Sequence, residues 1–295
     1  MGTTWSVRVV DPPAGLRAEV EGVLARIIAE MSHWEADSHL SRFNRSDPGR
    51  WQPLPSGFAE VLATGLAVAQ ASGGAFDPAM GVLADLWGFG PAGPQPFPDA
   101  AAVAGARDRS GRRHIEQEGS RARRTAPVTL DFSGIAKGHA VDAVAARLRG
   151  LGLSDFLVEI GGELRGEGIK PDGQPWWVDV EAVPGASVAP IRVALHGLSV
   201  ATSGDYRRHF EVAGRRYAHT LDPRSGMPLD NGVASTTLIH SDCMLADAWA
   251  TALAVLGPGH GPALAEREGL AMQMVVREGA GWRELLSPAL EGMLG

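Results

Sequence analysis

The chain has 295 residues, enough for one large domain or two small ones, and its 44% hydrophobic and 21% charged residues are typical of a globular protein. The 27 basic and 34 acidic residues give a net charge of −7. This balance argues against nucleic acid as the main partner, because a phosphate backbone requires a basic surface. The single cysteine, Cys243, excludes an internal disulfide and is interpreted as a buried apolar side chain rather than a reactive thiol.

The first ten residues predict a strand and lack the order of basic, apolar and small residues that marks a signal peptide. No run of about 18 or more apolar residues occurs, so no transmembrane segment is predicted. We therefore expect a cytoplasmic location, or an exported or membrane-attached one if a leader has been removed.

The first half of the chain contains two predicted helices. Residues 12–31 and 56–71 carry apolar side chains at helical spacing, and the second helix ends at Gly73-Gly74. The segment 90–98 is rich in Pro and Gly, which predicts a surface loop. Strands are expected at residues 114–118 and 124–132.

The second half mixes helices with many strands. A helix over residues 135–151 follows Ser133-Gly134, and a buried strand over residues 156–160 ends at Gly161-Gly162. Further strands are predicted at residues 176–183, 191–195, 198–201, 208–212, 215–219, 235–240 and 271–276, and further helix at residues 245–256 and 263–268. Successive late strands favour an α+β fold with mixed, largely antiparallel sheets and flanking helices. Because no linker marks a boundary, a single domain over residues 1–295 is expected.

Two oxygen-bearing side chains, Asp247 and Thr251, are candidates for a metal site. Residues four apart share one face of a helix, so this carboxylate and this hydroxyl could together hold a hard cation such as magnesium. The alternative is an Asp that caps the helix and a Thr that bonds back to a carbonyl. Since two ligands are too few for a site, the segment by itself favours the structural alternative.

Lys137 lies at the start of the helix that follows Gly134. A positive charge there is unfavourable with the helix dipole unless an anion neutralises it, which indicates an anion site. A solvated Lys on an exposed face is equally supported. The segment is not a Walker P-loop, because the Gly-Lys-Ser/Thr order is absent.

His219 lies in a predicted strand before a tight turn at Asp222-Pro223, where it could act as a general base. A lone His is more often structural, so this position alone is a weak signal. The loops around Asn44 and Phe76-Asp77 could contact an aromatic ligand. No His/Cys set has zinc-ligand spacing, and no Gly-x-Gly-x-x-Gly follows a strand, which argues against a Rossmann site.

Polar motifs rich in small residues occur in order along nearly the whole chain. They are Asp37-Ser-His-Leu-Ser-Arg-Phe-Asn44, Gly74-Ala-Phe-Asp-Pro78 with Leu86-Trp-Gly-Phe-Gly90, Leu130-Asp-Phe-Ser-Gly-Ile-Ala-Lys-Gly138, Val158-Glu-Ile-Gly-Gly-Glu163, Ala201-Thr-Ser-Gly-Asp-Tyr206, His219-Thr-Leu-Asp-Pro-Arg-Ser-Gly226 and Met244-Leu-Ala-Asp-Ala-Trp-Ala-Thr-Ala252. Each motif alone is weak, but the ordered set is specific. It closely resembles one family, the ApbE-type flavin transferases, also called FAD:protein FMN transferases.

The resemblance implies an ApbE-like fold with the FAD site in a central cleft. It also implies that the chain splits FAD at its pyrophosphate and attaches the FMN half to a Thr or Ser hydroxyl of an acceptor flavoprotein, with release of AMP. Magnesium would be held by Asp247, Thr251 and the backbone oxygen of Gly134, and His219 would be the catalytic base.

The same resemblance implies a set of FAD contacts. They carry over to Met31, Ala75, Phe76, Asp77, Asp131, Lys137 and Leu221. Four residues depart from the commonest family pattern, namely His139, Thr220, Ser225 and Met227. They lie beside the expected chemical positions, so we expect them to change partner or flavin affinity rather than the reaction type.

Two other functions are compatible with these residues. A magnesium-dependent FAD pyrophosphatase would use the same side chains with water as the acceptor, giving FMN and AMP. A non-catalytic FAD-binding protein would need none of Asp247, Thr251 and His219 for chemistry, so their presence argues against it.

Overall fold

The computed structural model describes residues 3–206, 209–212 and 215–294. These residues form two compact units. The first comprises the described parts of Arg26–Ala136 and Arg208–Asp230, and the second those of Gly2–Ala25, Lys137–Arg207 and Asn231–Gly295. The single-domain organisation expected from the sequence stays a prediction.

Eight α-helices occur in the described part of the chain. They are α1 (Leu16–Met31), α2 (His39–Arg45), α3 (Ser56–Ala71), α4 (Gly81–Leu86), α5 (Ala100–Asp108), α6 (Ala136–Gly150), α7 (Cys243–Arg267) and α8 (Pro288–Leu294), with a short 3₁₀ helix at Arg112–His114. The helices predicted at residues 12–31, 56–71 and 135–151 correspond to α1, α3 and α6.

The strands, in chain order, are β1 (Trp5–Val9), β2 (Gln52–Pro53), β3 (Ile115–Glu118), β4 (Arg121–Arg124), β5 (Phe156–Ile160), β6 (Glu163–Glu167), β7 (Trp176–Asp179), β8 (Arg192–Leu195), β9 (Leu198–Gly204), β10 (His209–Val212), β11 (Arg215–Ala218), β12 (Leu221–Asp222), β13 (Met227–Pro228), β14 (Val233–His240), β15 (Ala271–Glu278) and β16 (Gly281–Leu286). Several elements are additional to those predicted from the sequence, namely the helices α2, α4, α5 and α8 and the strands β2, β6, β12, β13 and β16.

The second unit is built on a seven-stranded sheet in the order β1-β5-β6-β9-β14-β15-β16. Every neighbouring pair in it is antiparallel. Almost every residue of β14, an interior strand of this sheet, is buried, in keeping with its nearly continuous run of apolar and hydroxyl side chains. Helix α7 packs on β9 and β14.

The first unit contains helices α2 to α5 and small antiparallel sheets, β2-β4-β3, β10-β11 and β12-β13. In α3 the buried side chains Phe58, Val61 and Leu62 recur at helical spacing, as the sequence pattern predicts. The prediction of an α+β fold with largely antiparallel sheets is confirmed. Among the described residues, none of the helices combines the length and the hydropathy that a membrane span requires.

The strand predicted at residues 124–132 is wrong beyond Arg124, where β4 ends. Pro127 has no N–H to donate, and the following backbone bonds to a side chain instead of a strand. The Asn44 amide donates to the carbonyl of Leu130 at 2.9 Å and accepts from the Leu130 N–H at 2.8 Å. The N–H of Asp131 donates to the carbonyl of Pro78. This segment is thereby held without a sheet.

The double hydrogen bond of Asn44 gives the first prediction. Asn44→Ala leaves both partly buried Leu130 backbone groups without these partners, so we expect a loss of about 1–3 kcal/mol in the free energy of unfolding. Urea unfolding followed by circular dichroism measures this loss. The matched control is Gln95→Ala, whose exposed amide contacts only loop carbonyls. The control should change stability by less than about 0.5 kcal/mol, and an equal effect of both substitutions would contradict the prediction.

Candidate active site

A cluster of opposite charges lies in the second unit, where α6 and α7 begin. The ammonium of Lys137, in the first turn of α6, contacts Glu163 Oε1 directly and lies 3.8 Å from Asp247 Oδ1. Glu163 opens β6, and Asp247 lies one turn into α7. Their residues are only 1% and 3% exposed, whereas 31% of the Lys137 side chain is accessible. The two carboxylates therefore depend on Lys137 for charge compensation.

Burial and the charges of the neighbours shift the pKa values of the three groups in this cluster. Burial raises the pKa of Glu163 to about 7, although the charge of Lys137 acts in the opposite direction. It also raises the pKa of Asp247, again against the effect of Lys137. For Lys137 itself burial disfavours the charge, but the Asp247 and Glu163 carboxylates outweigh it and raise the pKa. The lysine is thus a permanent cation at neutral pH.

The approach of α6 to α7 depends on a glycine. A Cβ atom at Gly138 would lie 2.2 Å from the carbonyl oxygen of Cys243, closer than any side chain permits. Because there is none, the Gly138 N–H can donate to Asp247 Oδ2 at 3.0 Å. The buried carboxylate thereby obtains a backbone donor from the neighbouring helix, which fixes its orientation.

A second carboxylate anchors the start of α7. Asp142 of α6 accepts from the Met244 N–H at 2.9 Å and contacts Arg165 Nη1 at 2.8 Å. Arg165 also donates to the carbonyl of Ser241, and Asp242 caps the helix by accepting from the Leu245 N–H. These hydrogen bonds fix both the first turn of α7 and the residues just before it.

Thr251 lies one helical turn after Asp247 on the same face of α7, as the spacing predicts. Its hydroxyl is within hydrogen-bonding distance of the Ser203 hydroxyl of β9, at 3.0 Å. The structural alternative for Thr251 was a hydrogen bond from its hydroxyl to a carbonyl of its own helix. The hydroxyl instead has a partner on the neighbouring strand β9. The geometry brings together Lys137, Asp247 and Thr251 on neighbouring elements of the second unit.

The first unit contains the other predicted residues. Ala75, Phe76 and Asp77 follow α3 and are buried. Both oxygens of Asp77 accept backbone N–H groups, from Ala79 and from Arg112, each at 2.8 Å. Burial raises the pKa of Asp77, and these backbone donors oppose that rise. Asp77 therefore fixes the loop around it, and its predicted contact with FAD stays a prediction.

Asp131 holds the turn that leads into α6. Its Oδ1 accepts from the N–H of Ser133 at 2.8 Å and from the Ser133 hydroxyl at 2.6 Å. His33, two residues after the buried Met31 at the end of α1, has Nδ1 3.6 Å from the same oxygen. Gly134 lies in this turn, before α6 begins.

His219 follows β11 and lies beside an aromatic cluster of the first unit. The centroid of its ring is 6.3 Å from that of Phe89, in an edge-to-face arrangement. Trp87, Phe97 and Tyr217 form the rest of the cluster, with centroids 5.2 to 6.2 Å apart. His219 is thus half-buried, with the Phe89 ring beside it.

Two later residues of the same motif, Leu221 and Asp222, have structural contacts. Leu221 is buried in an apolar cluster with Leu83 and Val103. Asp222 accepts from the N–H, Nε and Nη2 of Arg224, each at 2.9 Å. Because Asp222 already accepts three bonds, it is a poor substitute for His219 as a base. The placement of the residues of both units in one FAD site stays a prediction.

The residue patterns of the sequence indicate no role for Glu163, Ser203 or Asp142. Glu163 and Ser203 belong to the family-like motifs, but the residue types did not reveal their partners. The signal available was Lys137, since a cation at a helix N-terminus requires a nearby anion. No cluster of three or more His, Cys, Asp or Glu side chains suited to a metal occurs among the residues the structure describes. Any cation here must use hydroxyl or backbone oxygens as well.

Comparison with known proteins gives a consistent result. The family model described as ApbE matches residues 1–275. An FAD:protein FMN transferase of Vibrio cholerae serotype O1 is 35% identical over 303 residues, covering 100% of this chain and 90% of that protein. The apo crystal structure of the Pseudomonas stutzeri flavinyl transferase ApbE has a TM-score of 0.93 and 44% identity, covering 100% of this chain and 94% of that one. The flavin transferase ApbE from Vibrio cholerae has a TM-score of 0.91 and 34% identity, covering 99% and 96%.

The fold is therefore that of a flavin transferase family. The chain belongs to the ApbE family.

The anchor at Asp142 predicts a pH dependence of stability. Burial and, next, the charge of Asp242 raise the pKa of Asp142 to about 6, from an ordinary 3.8. The folded state therefore binds this proton more tightly than the unfolded state does. The stability that the proton contributes is fully present below about pH 3.8 and is lost as the pH rises through about 6. The stability of the wild type relative to Asp142→Asn should fall by up to about 3 kcal/mol over this range.

Urea unfolding of both proteins between about pH 4.5 and 7.5 should show about 2 kcal/mol of this fall. Asp172→Asn is the control, because the N–H of Gln174 lowers the pKa of this exposed carboxyl and places its titration below the range. A difference between the wild type and Asp142→Asn that stays constant with pH would contradict the assignment.

Proposed function

We propose that this chain transfers the FMN half of FAD to a Thr or Ser hydroxyl of an acceptor protein, with AMP as the leaving group and magnesium as the cofactor. Family membership supports the activity, since the curated relatives that align with the whole chain carry the name FAD:protein FMN transferase. The acceptor is a separate flavoprotein that presents the hydroxyl.

The observation that carries the proposal is the buried Asp247 carboxylate beside Lys137. A protein that only bound flavin would not need to bury two carboxylates around one ammonium. An enzyme that cleaves a pyrophosphate needs positive charge to offset the negative oxygens and a carboxylate to hold a hard cation. Lys137 and Asp247 supply these two requirements at neighbouring positions.

The residues present fit a magnesium ion. Asp247 Oδ1 is beyond hydrogen-bonding distance of Lys137 Nζ. The hydrogen bond described for the Thr251 hydroxyl is to another hydroxyl, that of Ser203. Both are hard oxygen donors of the kind that magnesium prefers, with phosphate oxygens and water as its further ligands. The backbone oxygen of Gly134, in the other unit, is the third ligand that the resemblance assigns. When bound, the ion would neutralise phosphate charge and polarise a phosphoryl oxygen.

The chain's own residues would perform the rest of the reaction. His219 accepts the proton of the acceptor hydroxyl as its oxygen bonds to the phosphorus of the FMN half. The bond from this phosphorus to the bridging oxygen breaks, and AMP leaves with the electron pair. Lys137 offsets the charge on the phosphate oxygens. The Phe89 ring, edge-to-face with the imidazole of His219, would limit the rotation of this base.

The proposal predicts a product that separates it from its alternatives. Purified protein with FAD, magnesium and a Thr-containing acceptor should give a fluorescent band at the acceptor in a denaturing gel, and one AMP for each flavin attached. The matched acceptor has Ala in place of the Thr and should stay dark. Free FMN and AMP with no labelled acceptor would indicate a pyrophosphatase, and intact FAD would indicate a binding protein.

Asp247→Asn tests the charge at the metal site without removing the acceptor for the Gly138 N–H. The amide oxygen can still accept this bond, so the fold should survive. Transfer should fall by about 100-fold or more, because a neutral oxygen holds a dication poorly. Rates over a series of magnesium concentrations measure the effect. The control Asp172→Asn, on an exposed loop, should keep the wild-type rate. Transfer at the wild-type rate by Asp247→Asn would refute the assignment of Asp247 as a magnesium ligand.

His219→Ala separates proton transfer from binding. The rate of transfer should fall by roughly 10²–10⁴-fold, the usual range for the loss of a general base. The affinity for FAD, measured by flavin fluorescence, should change little. The exposed His260→Ala is the matched control and should match the wild type in both measurements. If affinity and rate fell in equal proportion, His219 would be a binding residue.

A further inference from the structure

Glu163 has an unusual environment for a carboxylate. Its residue is 1% exposed, yet only Oε1 has a partner, the ammonium of Lys137. The other oxygen, Oε2, is buried with no hydrogen-bond partner. A half-satisfied buried carboxylate costs stability, so stability alone does not explain its presence.

The surroundings of Glu163 determine where the lysine side chain lies. Gly161, in the turn between β5 and β6, has a φ of +66°, and a Cβ atom there would lie 3.2 Å from Lys137 Cδ. The stem of Lys137 thus packs against this turn, and its ammonium meets Glu163 where β6 begins. The same hairpin holds both the stem and the charged end of the lysine.

Lys137 has two carboxylates within reach but makes a direct contact with only one. Its ammonium contacts Glu163, whereas Asp247 Oδ1 is 3.8 Å away and makes no hydrogen bond to it. A free ammonium beside a buried carboxylate would form a direct ion pair. Such a pair at Asp247 would occupy the oxygen that the proposed cation requires, and it would place a positive charge next to that cation.

We propose that Glu163 is a positioning residue that holds Lys137 away from Asp247 and so keeps Asp247 available to a divalent cation. The inference rests on the proposed function, because it concerns the same cation site. Without the Glu163 charge, Lys137 turns to Asp247 and competes with the cation. Glu163 thus acts on the site through Lys137 and contacts neither the cation nor the phosphates.

A double-mutant cycle on cation binding tests this role. The probe is Mn²⁺, which takes the oxygen ligands that magnesium takes and whose free concentration is measured by electron paramagnetic resonance. The four proteins are the wild type, Glu163→Gln, Lys137→Met and the double variant, at about pH 8, above the pKa of about 7 of Glu163. Mn²⁺ that still binds to Asp247→Asn is assigned to other sites and subtracted. Displacement of the remaining Mn²⁺ by Mg²⁺ shows that both cations use the site at Asp247.

The positioning role predicts a strong coupling between the two substitutions. Glu163→Gln should weaken Mn²⁺ binding about tenfold or more when Lys137 is present, and less than about twofold when it is Met. An equal loss in both backgrounds would mean that Glu163 acts only through its own charge, and would overturn the inference. So would a wild type that binds no Mn²⁺ at Asp247.

Glu159→Gln is the matched control for charge and location. Glu159 lies in the same hairpin, where its Oε1 accepts from the Gly162 N–H, a bond that Gln can keep. It should leave Mn²⁺ affinity within about twofold of the wild type, and a loss equal to that of Glu163→Gln would also overturn the inference. The cycle uses neither FAD nor an acceptor. A coupled result together with absent transfer would therefore refute the proposed function and leave the role of Glu163 intact.

Discussion

The burial of the Asp247 carboxylate is the constraint on which the rest of this site depends. A buried charge is tolerated only when hydrogen bonds and an opposite charge compensate for the lost water. Here the compensation comes from the Gly138 N–H and the ammonium of Lys137. Both belong to the first turn of α6, so the start of that helix must lie against α7. The position of one carboxylate thus fixes the relation of two helices.

The surrounding residues can be understood as consequences of this approach. Gly138 has no side chain because the Cys243 carbonyl occupies that space. Asp142 and Arg165 hold the residues at the start of α7, so Asp247 stays within hydrogen-bonding distance of the Gly138 N–H. Glu163 shares the charge of Lys137, which would otherwise be directed at Asp247 alone. The result is a negative site with one cation at its side, suited to a divalent ion and a pyrophosphate.

Local sequence signals were sufficient for features that depend on nearby residues. The apolar spacing of α3 and the glycines after it gave both ends of the helix, and Ser133-Gly134 marked the start of α6 within one residue. The i, i+4 spacing placed Asp247 and Thr251 on one face. The ordered motifs identified the family, which residue chemistry alone would not have done, since each segment had a structural alternative.

Features set by distant residues were not predictable in this way. The segment after Arg124 looks like a strand, but the Asn44 amide, more than eighty residues earlier, takes its hydrogen bonds. β6 contains Glu163, Arg165 and Glu167, and its charges obscure the apolar alternation of a strand. The partner of Lys137 became visible only when the β5–β6 hairpin brought Glu163 to it.

The most direct measurement is a crystal structure of the protein with Mn²⁺ bound, located by anomalous scattering. If Asp247 and Thr251 hold the cation, an anomalous peak is expected about 2.1 Å from Asp247 Oδ1 and from the Thr251 hydroxyl, with the Lys137 ammonium still on Glu163. A peak elsewhere, or none together with a direct ion pair between Lys137 and Asp247, would contradict it.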